Sequence, residues 1–518
     1  MILYEIRKNA YYDSVTLMLI SKEVKQIEGV HEALVGMGTD LNKELAGNLG
    51  MADVRLEAIS PNDFFIAAKV TEEPIMSKVV EAVDSLLTAK KSEAGTTYRP
   101  ATLESAMEHM PDANLLVVSV AGQYAEDEVS AALEHGLNVM LFSDNVPIEA
   151  ERRLKQKAVE KQLLMMGPDC GTAIINGVPL CFANVVKRGN IGVVGASGTG
   201  TQEVTVIIDK LGGGCSQVIG TGGRDLKSEI GGMMMLQAMD ALMADEATEV
   251  IVLISKPPAS EVAEKILDKV KTTQKPVVVD FIGGDRELIR SAGAYPCISL
   301  EDAAYKAVAL ANGKVPEDYV GFSESEIDIE AKIRQAMTSL KPHQKYLRAL
   351  YTGGTLADEA MKHLSKPLGG IYSNIPLTPA FEIKDLSQLK GHVCLDLGED
   401  QFTVGRPHPM IDPSTRTDRF MSDIDSSVAV VLLDVVLGYG SHENPAKEAA
   451  NAVRKMRQRF EESFVVVASI TGTANDPQDL EASQRCLEDE GIIVMPSNAQ
   501  AVRFVERLME GLEDDSRA

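Results

Sequence analysis

The sequence predicts an α/β protein made of several parallel-sheet domains, and three observations lead to this prediction. The chain has 518 residues, enough for roughly three or four domains. Apolar runs typical of buried strands alternate with runs of helical periodicity. Most of these strands end in glycine or a polar turn, as in Gly192–Glu203 (GVVGASGTGTQE). Strand–helix–strand alternation implies parallel strands whose carboxyl ends carry the ligand sites.

The first 188 residues predict two domains. Residues 1–88 alternate short strands and helices, which indicates a small N-terminal α/β sandwich. A linker-like stretch, KKSEAGTTYRPAT, follows at 90–102. Residues 102–188 predict a Rossmann-like domain with strand ends at Ser119–Gly122, Ser143–Asn145 and Gly167–Thr172. The GxGxxG fingerprint is absent from this stretch, so a nicotinamide dinucleotide is not indicated.

Two further domains share one opening pattern. Residues 189–313 and 345–510 each begin with an apolar strand, a glycine loop and a helix, and an acidic linker with a helix in it separates them at 315–344. The two glycine loops are Ser197–Thr201 and Thr352–Thr355. A fused pair of related domains would place both loops at one shared interface, and we predict this arrangement from the pattern.

Such loops expose backbone N–H groups at a helix start, where the helix dipole adds partial positive charge. This suits a phosphate, a carboxylate or an acyl phosphate, although a plain tight turn has the same glycines. Arg224 lies beside a third glycine turn. Its guanidinium could bind an anion through two parallel hydrogen bonds, or it could form a surface salt bridge instead. The candidate phosphate or substrate contacts are Ser197, Gly198, Thr199, Gly200, Gly222, Gly223, Arg224, Gly353, Gly354 and Thr355.

Composition excludes several classes of function. The formal net charge of −25 argues against a nucleic-acid partner, which needs a basic footprint. No apolar stretch is long enough to span a bilayer, and the N-terminus lacks a signal-peptide pattern, so we expect a cytoplasmic protein with no membrane partner. The six cysteines are scattered without a CxxC pair, which argues against a metal site or a disulfide framework.

Specific motifs resemble known families. The run LMMGPDCGTAIING followed by GNIGVVGASGTGTQE resembles the α subunit of succinyl-CoA synthetase, its CoA-binding domain and then its first ligase domain. Residues 345–510 resemble the second ligase domain, at the C-terminal end of that enzyme's β subunit. DSVTLM, LFSDNV, GGRDL, SKPPA, YTGGTLADE, VGRPHPMIDP and LDVVLGYG stand in the order of the FdrA family of acyl-CoA-synthetase-like proteins, and of its YahF branch in particular. The resemblance implies a Rossmann-like CoA-binding-type domain at 102–188 and flavodoxin-like ligase domains at 189–313 and 345–510.

The chain departs from succinyl-CoA synthetase at two points. That α subunit carries a phosphorylated histidine in a Gly-His-Ala-Gly motif, whereas the stretch matched here reads Arg290-Ser291-Ala292-Gly293. No histidine occurs between His135 and His343. The sequence between Leu310 and Tyr346 is too short for an ATP-grasp domain, and the glycine loop lacks the Walker A lysine. We therefore do not expect an ATP-driven CoA ligase from this chain alone.

The FdrA resemblance implies a subunit of an oxamate carbamoyltransferase in purine and allantoin breakdown. Such a subunit would act by phosphorolysis, with phosphate as the nucleophile and carbamoyl phosphate and a small carboxylate as further substrates. We expect it to work in an oligomer with other carbamoyltransferase subunits. One alternative is an acyl-CoA synthetase subunit of the succinyl-CoA ligase type. Another is a non-catalytic scaffold that binds CoA or a metabolite.

Further candidate residues follow from the resemblance. In the proline-rich loop Gly405–Pro413, Arg406 could bind an anionic substrate and His408 could act as general acid or base or carry a transferred group. Ser291 takes the place of the phosphorylated histidine. CoA is the one cofactor that the resemblance allows, and the candidate CoA contacts are Ser119, Gly122, Ser143, Asn145, Pro168 and Asp169.

Overall fold

A computed structural model describes residues 1–8, 10, 12, 14–93, 100, 102–403, 406–459 and 464–515. The chain divides into two compact units. The first comprises Met1–His109 with Asp400–His408, and the second comprises Met110–Glu399 with Pro409–Ala518. No helix within the described ranges is long and apolar enough to cross a membrane.

The first unit contains a three-stranded antiparallel sheet in the order β1-β3-β2. Alternate residues of the central strand face two different cores: Phe64 and Ile66 pack in one apolar cluster, and Phe65 and Ala67 pack in the other. Helices therefore cover both faces, as the predicted α/β sandwich requires. The elements are β1 (Ile2–Arg7), α1 (Ser14–Val24), β2 (Val30–Met37), α2 (Asp40–Asn48), α3 (Val54–Glu57), β3 (Phe64–Val70), α4 (Pro74–Glu93) and α5 (Leu103–His109).

The second unit begins with a small parallel sheet in the order β4-β5-β6. Its elements are β4 (Leu115–Val118), α6 (Gly122–Glu134), β5 (Asn138–Leu141), α7 (Ile148–Glu160) and β6 (Met165–Met166). All three strands are parallel, so their carboxyl ends meet at one edge.

A seven-stranded sheet follows in the order β13-β12-β11-β9-β10-β7-β8. Its elements are β7 (Thr172–Ile175), β8 (Val178–Cys181), β9 (Arg188–Gly195), α8 (Gly198–Lys210), β10 (Cys215–Gly220), α9 (Met233–Ala244), β11 (Val250–Ser255), α10 (Ser260–Val270), β12 (Val277–Phe281), α11 (Arg286–Ser291), β13 (Tyr295–Pro296) and α12 (Leu300–Ala311). Strands β9 to β13 are parallel, and the β7–β8 hairpin adds antiparallel to β10. This hairpin joins the sheet of the following domain although it lies within the predicted range 102–188.

The last sheet has six strands, all parallel, in the order β15-β16-β14-β17-β18-β19. A short 3₁₀ turn occupies Pro379–Phe381, and α15 clusters with the first unit. The elements are α13 (Glu326–Thr338), β14 (Tyr346–Tyr351), α14 (Gly354–Leu364), β15 (Tyr372–Ser373), β16 (Val393–Asp396), α15 (Asp400–Thr403), α16 (Ser414–Asp423), β17 (Val428–Val436), α17 (Pro445–Arg459), β18 (Val465–Thr471), α18 (Leu480–Glu488), β19 (Ile493–Met495) and α19 (Asn498–Asp515).

The two large sheets share one buried core, in which Val193 and Val252 of one sheet lie in the same apolar cluster as Leu347 and Val430 of the other. Buried polar contacts also cross this interface. The Glu203 carboxylate on α8 accepts hydrogen bonds from the Thr471 hydroxyl (2.6 Å) and the Asn498 N–H (2.8 Å). The two large sheets are therefore docked through both apolar and polar contacts, which fixes the position of α8 relative to the six-stranded sheet.

Candidate functional site

The structure brings the two glycine loops, Ser197–Thr201 and Thr352–Thr355, into direct contact, and we call them the paired loops. The hydroxyl oxygens of Ser197 and Thr355 lie 2.6 Å apart. A Cβ atom added at Gly200 would lie 2.8 Å from Cγ2 of Thr355, and one at Gly353 would lie 2.6 Å from Oγ1 of Thr199. Glycine is required at both positions because the loops approach each other too closely for a side chain.

The first loop opens a helix whose N-terminus keeps donors available. Ser197 caps α8: its hydroxyl accepts a hydrogen bond from the N–H of Gly200 at 3.1 Å. The hydroxyl of Thr201 donates to the Ser197 carbonyl at 2.6 Å, which fixes the turn. The N–H groups of Gly198 and Thr199 belong to the first turn and have no intrahelical acceptor. They remain as donors at the positive end of a 13-residue helix.

The second loop is held by an internal carboxylate. Asp434, a fully buried residue on β17, accepts hydrogen bonds from the N–H (2.8 Å) and the hydroxyl (2.9 Å) of Thr352 and from the N–H of Gly353 (2.9 Å). The guanidinium of Arg416 lies 3.3 Å from Asp434 and balances its charge. These donors are therefore already used, and only the first turn of α14, which has no side-chain cap, stays open to a ligand.

A second buried carboxylate lies against the start of α14. A Cβ atom added at Gly354 would overlap Oδ2 of Asp396, the last residue of β16. Burial raises the pKa of Asp396 to about 7. Nearby, the ammonium of Lys256 pairs with Asp358 on α14 at 2.7 Å. Neither Asp396 nor Asp434 is among the residues predicted from the sequence, although a lone acidic residue in an apolar strand (VCLD, VAVVLLDVV) is a usable signal.

The third glycine turn serves the packing between domains. Gly222 has φ +82°, and a Cβ atom there would overlap the carbonyl oxygen of Pro168. Arg224 donates to the Val146 carbonyl at 2.7 Å and pairs with the buried Glu151 at 2.9 Å. The Arg224 guanidinium therefore forms a salt bridge, which the sequence left open as the alternative to anion binding. Its partner Glu151 is buried, whereas that alternative was a surface salt bridge.

The six candidate CoA contacts lie at the carboxyl edge of the small parallel sheet. Ser119 and Gly122 follow β4, Ser143 and Asn145 follow β5, and Pro168 and Asp169 follow β6. The turns touch, since the N–H of Asp169 donates to the Ser143 carbonyl at 3.0 Å. The hydroxyl of Ser143 is buried and has no partner among the described residues. Helix α6 starts at Gly122 without a side-chain cap. An unpaired hydroxyl and an uncapped helix start fit the phosphate groups of CoA.

Ser291 is not brought to the paired loops. It ends α11, is exposed, and donates its hydroxyl to the Leu288 carbonyl at 2.7 Å. Because β12 and β13 are parallel, the chain between them returns to the amino edge of the sheet before β13 begins. The first loop lies at the carboxyl edge, after β9. Ser291 therefore has no part in the functional proposal below.

Arg406 and His408 belong to the first unit, whereas the paired loops lie in the second. Gly405, which opens their proline-rich loop, is outside the described residues. Arg406 is exposed, and burial lowers the pKa of His408 to about 4, so its imidazole is neutral at pH 7. The substrate-binding and acid–base roles of these two residues stay predictions.

Metal and thiol chemistry find no support in the described part of the chain. No group of three or more His, Cys, Asp or Glu side chains that could hold a metal ion occurs there. Burial raises the pKa of the Cys170 thiol, and likewise that of Cys215, to about 12, so both stay protonated at neutral pH.

Three family models match the chain. One described as "CoA-ligase" matches residues 350–508, and one described as "CoA binding domain" matches residues 186–283. The second range overlaps the domain predicted as the first ligase domain (189–313), and the domain boundaries stay predictions. A model described as "AllF, heavy metal-associated domain" matches residues 1–102. That stretch contains no cysteine, the soft ligand that such metals favour, and we derive no metal chemistry from the match.

Relatives of this chain include YahF and subunits of two CoA ligases. The uncharacterized protein YahF of Escherichia coli K12 is 43% identical over 501 residues, covering 95% of this chain and 96% of that protein. The ADP-forming sulfoacetate-CoA ligase subunit SqwL of an Acholeplasma species is 31% identical, covering 34% of this chain and 60% of that subunit. The ADP-forming succinate–CoA ligase subunit alpha 1 of Archaeoglobus fulgidus is 29% identical, covering 33% of this chain and 59% of that subunit.

Proposed function

Because the chain belongs to the FdrA/YahF family of acyl-CoA-synthetase-like proteins, we propose that its paired loops bind the phosphate of an acyl phosphate during acyl transfer to CoA. The protein would thus be one component of an acyl-CoA ligase. The observation that carries this proposal is the contact between the loops, in which two hydroxyl groups from different domains lie 2.6 Å apart at the starts of two helices.

Electrostatics favours an anion at this point. Each helix start carries roughly half a positive charge, and the two starts converge on the same place. The N–H groups of Gly198 and Thr199 can donate to phosphate oxygens, and so can the hydroxyl of the Ser197–Thr355 pair that does not donate to the other. Fixed donors of this kind also stabilise the charge that develops as an acyl–phosphate bond breaks, without reorganisation during the reaction.

The candidate CoA contacts adjoin the same region. As a substrate, CoA would supply a thiol as the acyl acceptor. The chain that follows β6 connects the turn at Pro168 and Asp169 to the first loop. A Cβ atom added at Gly198 in that loop would lie 3.7 Å from the hydroxyl of Thr172, the first residue of β7. Ser119, Gly122, Ser143 and Asn145 would hold the polar part of CoA. The CoA-binding and CoA-ligase matches, at 186–283 and 350–508, support CoA as the ligand but do not include these four residues.

Carbamoyl transfer is the second candidate, favoured by a different observation. No histidine occurs between His135 and His343, so the domain that would carry a phosphohistidine has none. An acyl phosphate must then reach the loops already formed, and carbamoyl phosphate is such a molecule. In the phosphorolytic direction, phosphate held by the loops would attack a carbamoyl carbon, with oxalurate giving oxamate and carbamoyl phosphate. A scaffold that only binds CoA is the remaining alternative.

The deciding experiment measures phosphate release from acyl phosphates by the chain co-expressed with the products of its neighbouring genes. One arm offers acetyl phosphate with CoA, and the other offers carbamoyl phosphate with oxamate. We expect release that depends on CoA. Release that depends only on oxamate would establish the second candidate instead, and CoA binding without release in either arm would favour the scaffold.

A matched pair of variants tests the loops themselves. Ser197→Asp places a negative charge at the proposed phosphate position and should abolish release by charge repulsion, with an unchanged circular dichroism spectrum. Ser291→Asp makes the same substitution at an exposed position on the opposite edge of the sheet and should leave release unchanged. Equal activity of the two variants would remove the paired loops from the site.

A further inference from the structure

We propose that Asp396 is the proton-transfer residue of the paired-loop site: it carries a proton while phosphate is bound there and exchanges that proton with the reacting groups. This inference rests on the proposed function, because it takes the paired loops to be a phosphate site.

The position of Asp396 follows from the sheet. Asp396 ends β16 and stands opposite Tyr351, the last residue of β14, so it lies beside the start of the second loop. The N–H of Leu397 donates to the Tyr351 carbonyl at 2.9 Å and fixes this arrangement. The side chain is buried, with 4% of the residue exposed.

The two carboxyl oxygens of Asp396 have different surroundings. Oδ1 accepts a hydrogen bond from the N–H of Gly398 at 2.9 Å. Oδ2 faces Gly354 and receives no hydrogen bond from the described residues. A carboxyl oxygen that has no donor, on a residue largely removed from water, is costly to ionise and is well suited to hold a proton instead. Oδ2 is such an oxygen, and it faces the open first turn of an 11-residue helix.

The charges around Asp396 favour the protonated form. Burial is the largest cause of its raised pKa, and Glu399 and Asp358 add to the shift, while the Gly398 N–H and Lys256 oppose it. The ammonium of Lys256 is already paired with Asp358. The positive end of the α14 dipole also opposes the shift. A phosphate bound at the loops would add negative charge and hold the proton on Asp396 more firmly.

Asp434 faces the same loop but has a different role. Both of its oxygens accept hydrogen bonds, from the N–H groups of Thr352 and Gly353 and the Thr352 hydroxyl, and Arg416 balances its charge. It has no oxygen left for a reacting group. Asp434 is a positioning residue that shapes the loop, whereas Asp396 keeps one oxygen free.

The chemistry of the step balances. As the acceptor attacks the acyl carbon, a bond forms between the acceptor atom and that carbon, and the bond from the carbon to the phosphate oxygen breaks. Protonated Asp396 gives its proton to the leaving phosphate oxygen. The resulting carboxylate then takes the proton that the acceptor, a thiol or an amine, releases on acylation. Asp396 ends as it began, and no oxidant or further reactant is needed.

The test measures binding of sulfate, which stands in for phosphate but does not titrate between pH 6 and 9. Calorimetry across that range would follow wild type, Asp396→Asn and Asp280→Asn. Asp280 is the matched control because it is buried, has an Oδ2 without a partner, and has a pKa raised to about 7. It lies two strands away from the first loop, on β12.

We expect wild-type affinity for sulfate to fall by about tenfold per pH unit above the pKa of Asp396, with about one proton taken up per sulfate bound at pH 8.5. Asp396→Asn should bind sulfate without this pH dependence, and Asp280→Asn should behave as wild type. The same pH dependence in wild type and Asp396→Asn, or its loss in Asp280→Asn, would overturn the inference.

Two further outcomes also bear on it. If Asp396→Asn does not fold, proton uptake by the wild type alone decides, and sulfate binding without uptake would contradict the proposal. If the wild type binds neither sulfate nor phosphate at any pH, the phosphate site itself fails, and the inference falls with it. That result differs from binding with an unchanged pH profile, which removes only the role of Asp396.

Discussion

The contact between the paired loops makes a quantitative prediction for two glycines on the same helix turn. A methyl group at Gly200 would lie 2.6 Å from the Ser197 hydroxyl oxygen and 2.8 Å from Cγ2 of Thr355. A methyl group at Gly198 would meet the Thr172 hydroxyl at 3.7 Å, an ordinary contact. Both positions lie in the first turn of α8, so the two Gly→Ala substitutions differ mainly in the neighbour that the methyl group meets.

The magnitudes follow from two opposing effects. Replacing glycine by alanine in a helix stabilises it by up to about 1 kcal/mol. Overpacking in a well-packed region destabilises by about 1–3 kcal/mol. Gly198→Ala should therefore be neutral or slightly stabilising, and Gly200→Ala should lower the free energy of unfolding by about 1–3 kcal/mol relative to it. Thr355 is β-branched and has little freedom to rotate away, which keeps the effect toward the upper end.

Differential scanning calorimetry on the two variants and wild type measures the effect as a shift of a few degrees in the unfolding temperature. Sulfate titration of the same samples reports whether the loops still bind an anion, and Gly200→Ala should bind more weakly than wild type. Equal unfolding temperatures for Gly198→Ala and Gly200→Ala would show that the loops are not in contact in solution and would refute the reasoning.

Two further predictions concern buried charges. Burial raises the pKa of Asp280 to about 7, and because ionising it in the folded protein is unfavourable, wild-type stability should fall between pH 4 and 7. Asp280→Asn should leave the free energy of unfolding unchanged at pH 4 and raise it at pH 8 by at most about 4 kcal/mol. Thermal unfolding at both pH values checks this. Lys155 lies fully buried, 2.9 Å from both Glu151 and Asp225, so Lys155→Met should cost about 3–5 kcal/mol in urea unfolding. The control Lys157→Met, on the same helix but in a partly exposed pair, should cost about 1 kcal/mol or less, and equal losses would contradict the assignment.

Local patterns in the sequence were enough to predict the paired loops. Each loop follows an apolar strand and precedes a helical run, and the repetition of this unit in two domains suggested the shared interface. The parallel sheets were predictable for the same reason, because strand–helix alternation allows few other connections. Family resemblance supplied the CoA-binding and CoA-ligase character of the chain, and the bounds of its domains stay predictions.

Contacts between distant residues were not predictable. Asp434 binds the loop at Thr352 and Gly353 from 82 and 81 residues away, and only the order of strands in the sheet brings them together. The β7–β8 hairpin joins the larger sheet by pairing with β10 at its edge. The periodicity of a strand does not say which sheet the strand will join. The match at Ser291 rested on four residues, too few to fix its place, and the topology puts it on the opposite edge of the sheet.

The two halves of the paired loops are electrostatically unequal, and this inequality implies an orientation for the substrate. On the α14 side, Asp434 uses the donors of Thr352 and Gly353, and Asp396 lies against Gly354. On the α8 side, no carboxylate among the described residues accepts a hydrogen bond from the first-turn N–H groups of Gly198 and Thr199. Under the proposed function, a dianionic phosphate is therefore held mainly by α8, while the bond that breaks points toward α14, where a protonated Asp396 can reach it. The second domain would then contribute the smaller share of phosphate binding and supply the proton transfer, although the two glycine loops look alike in the sequence.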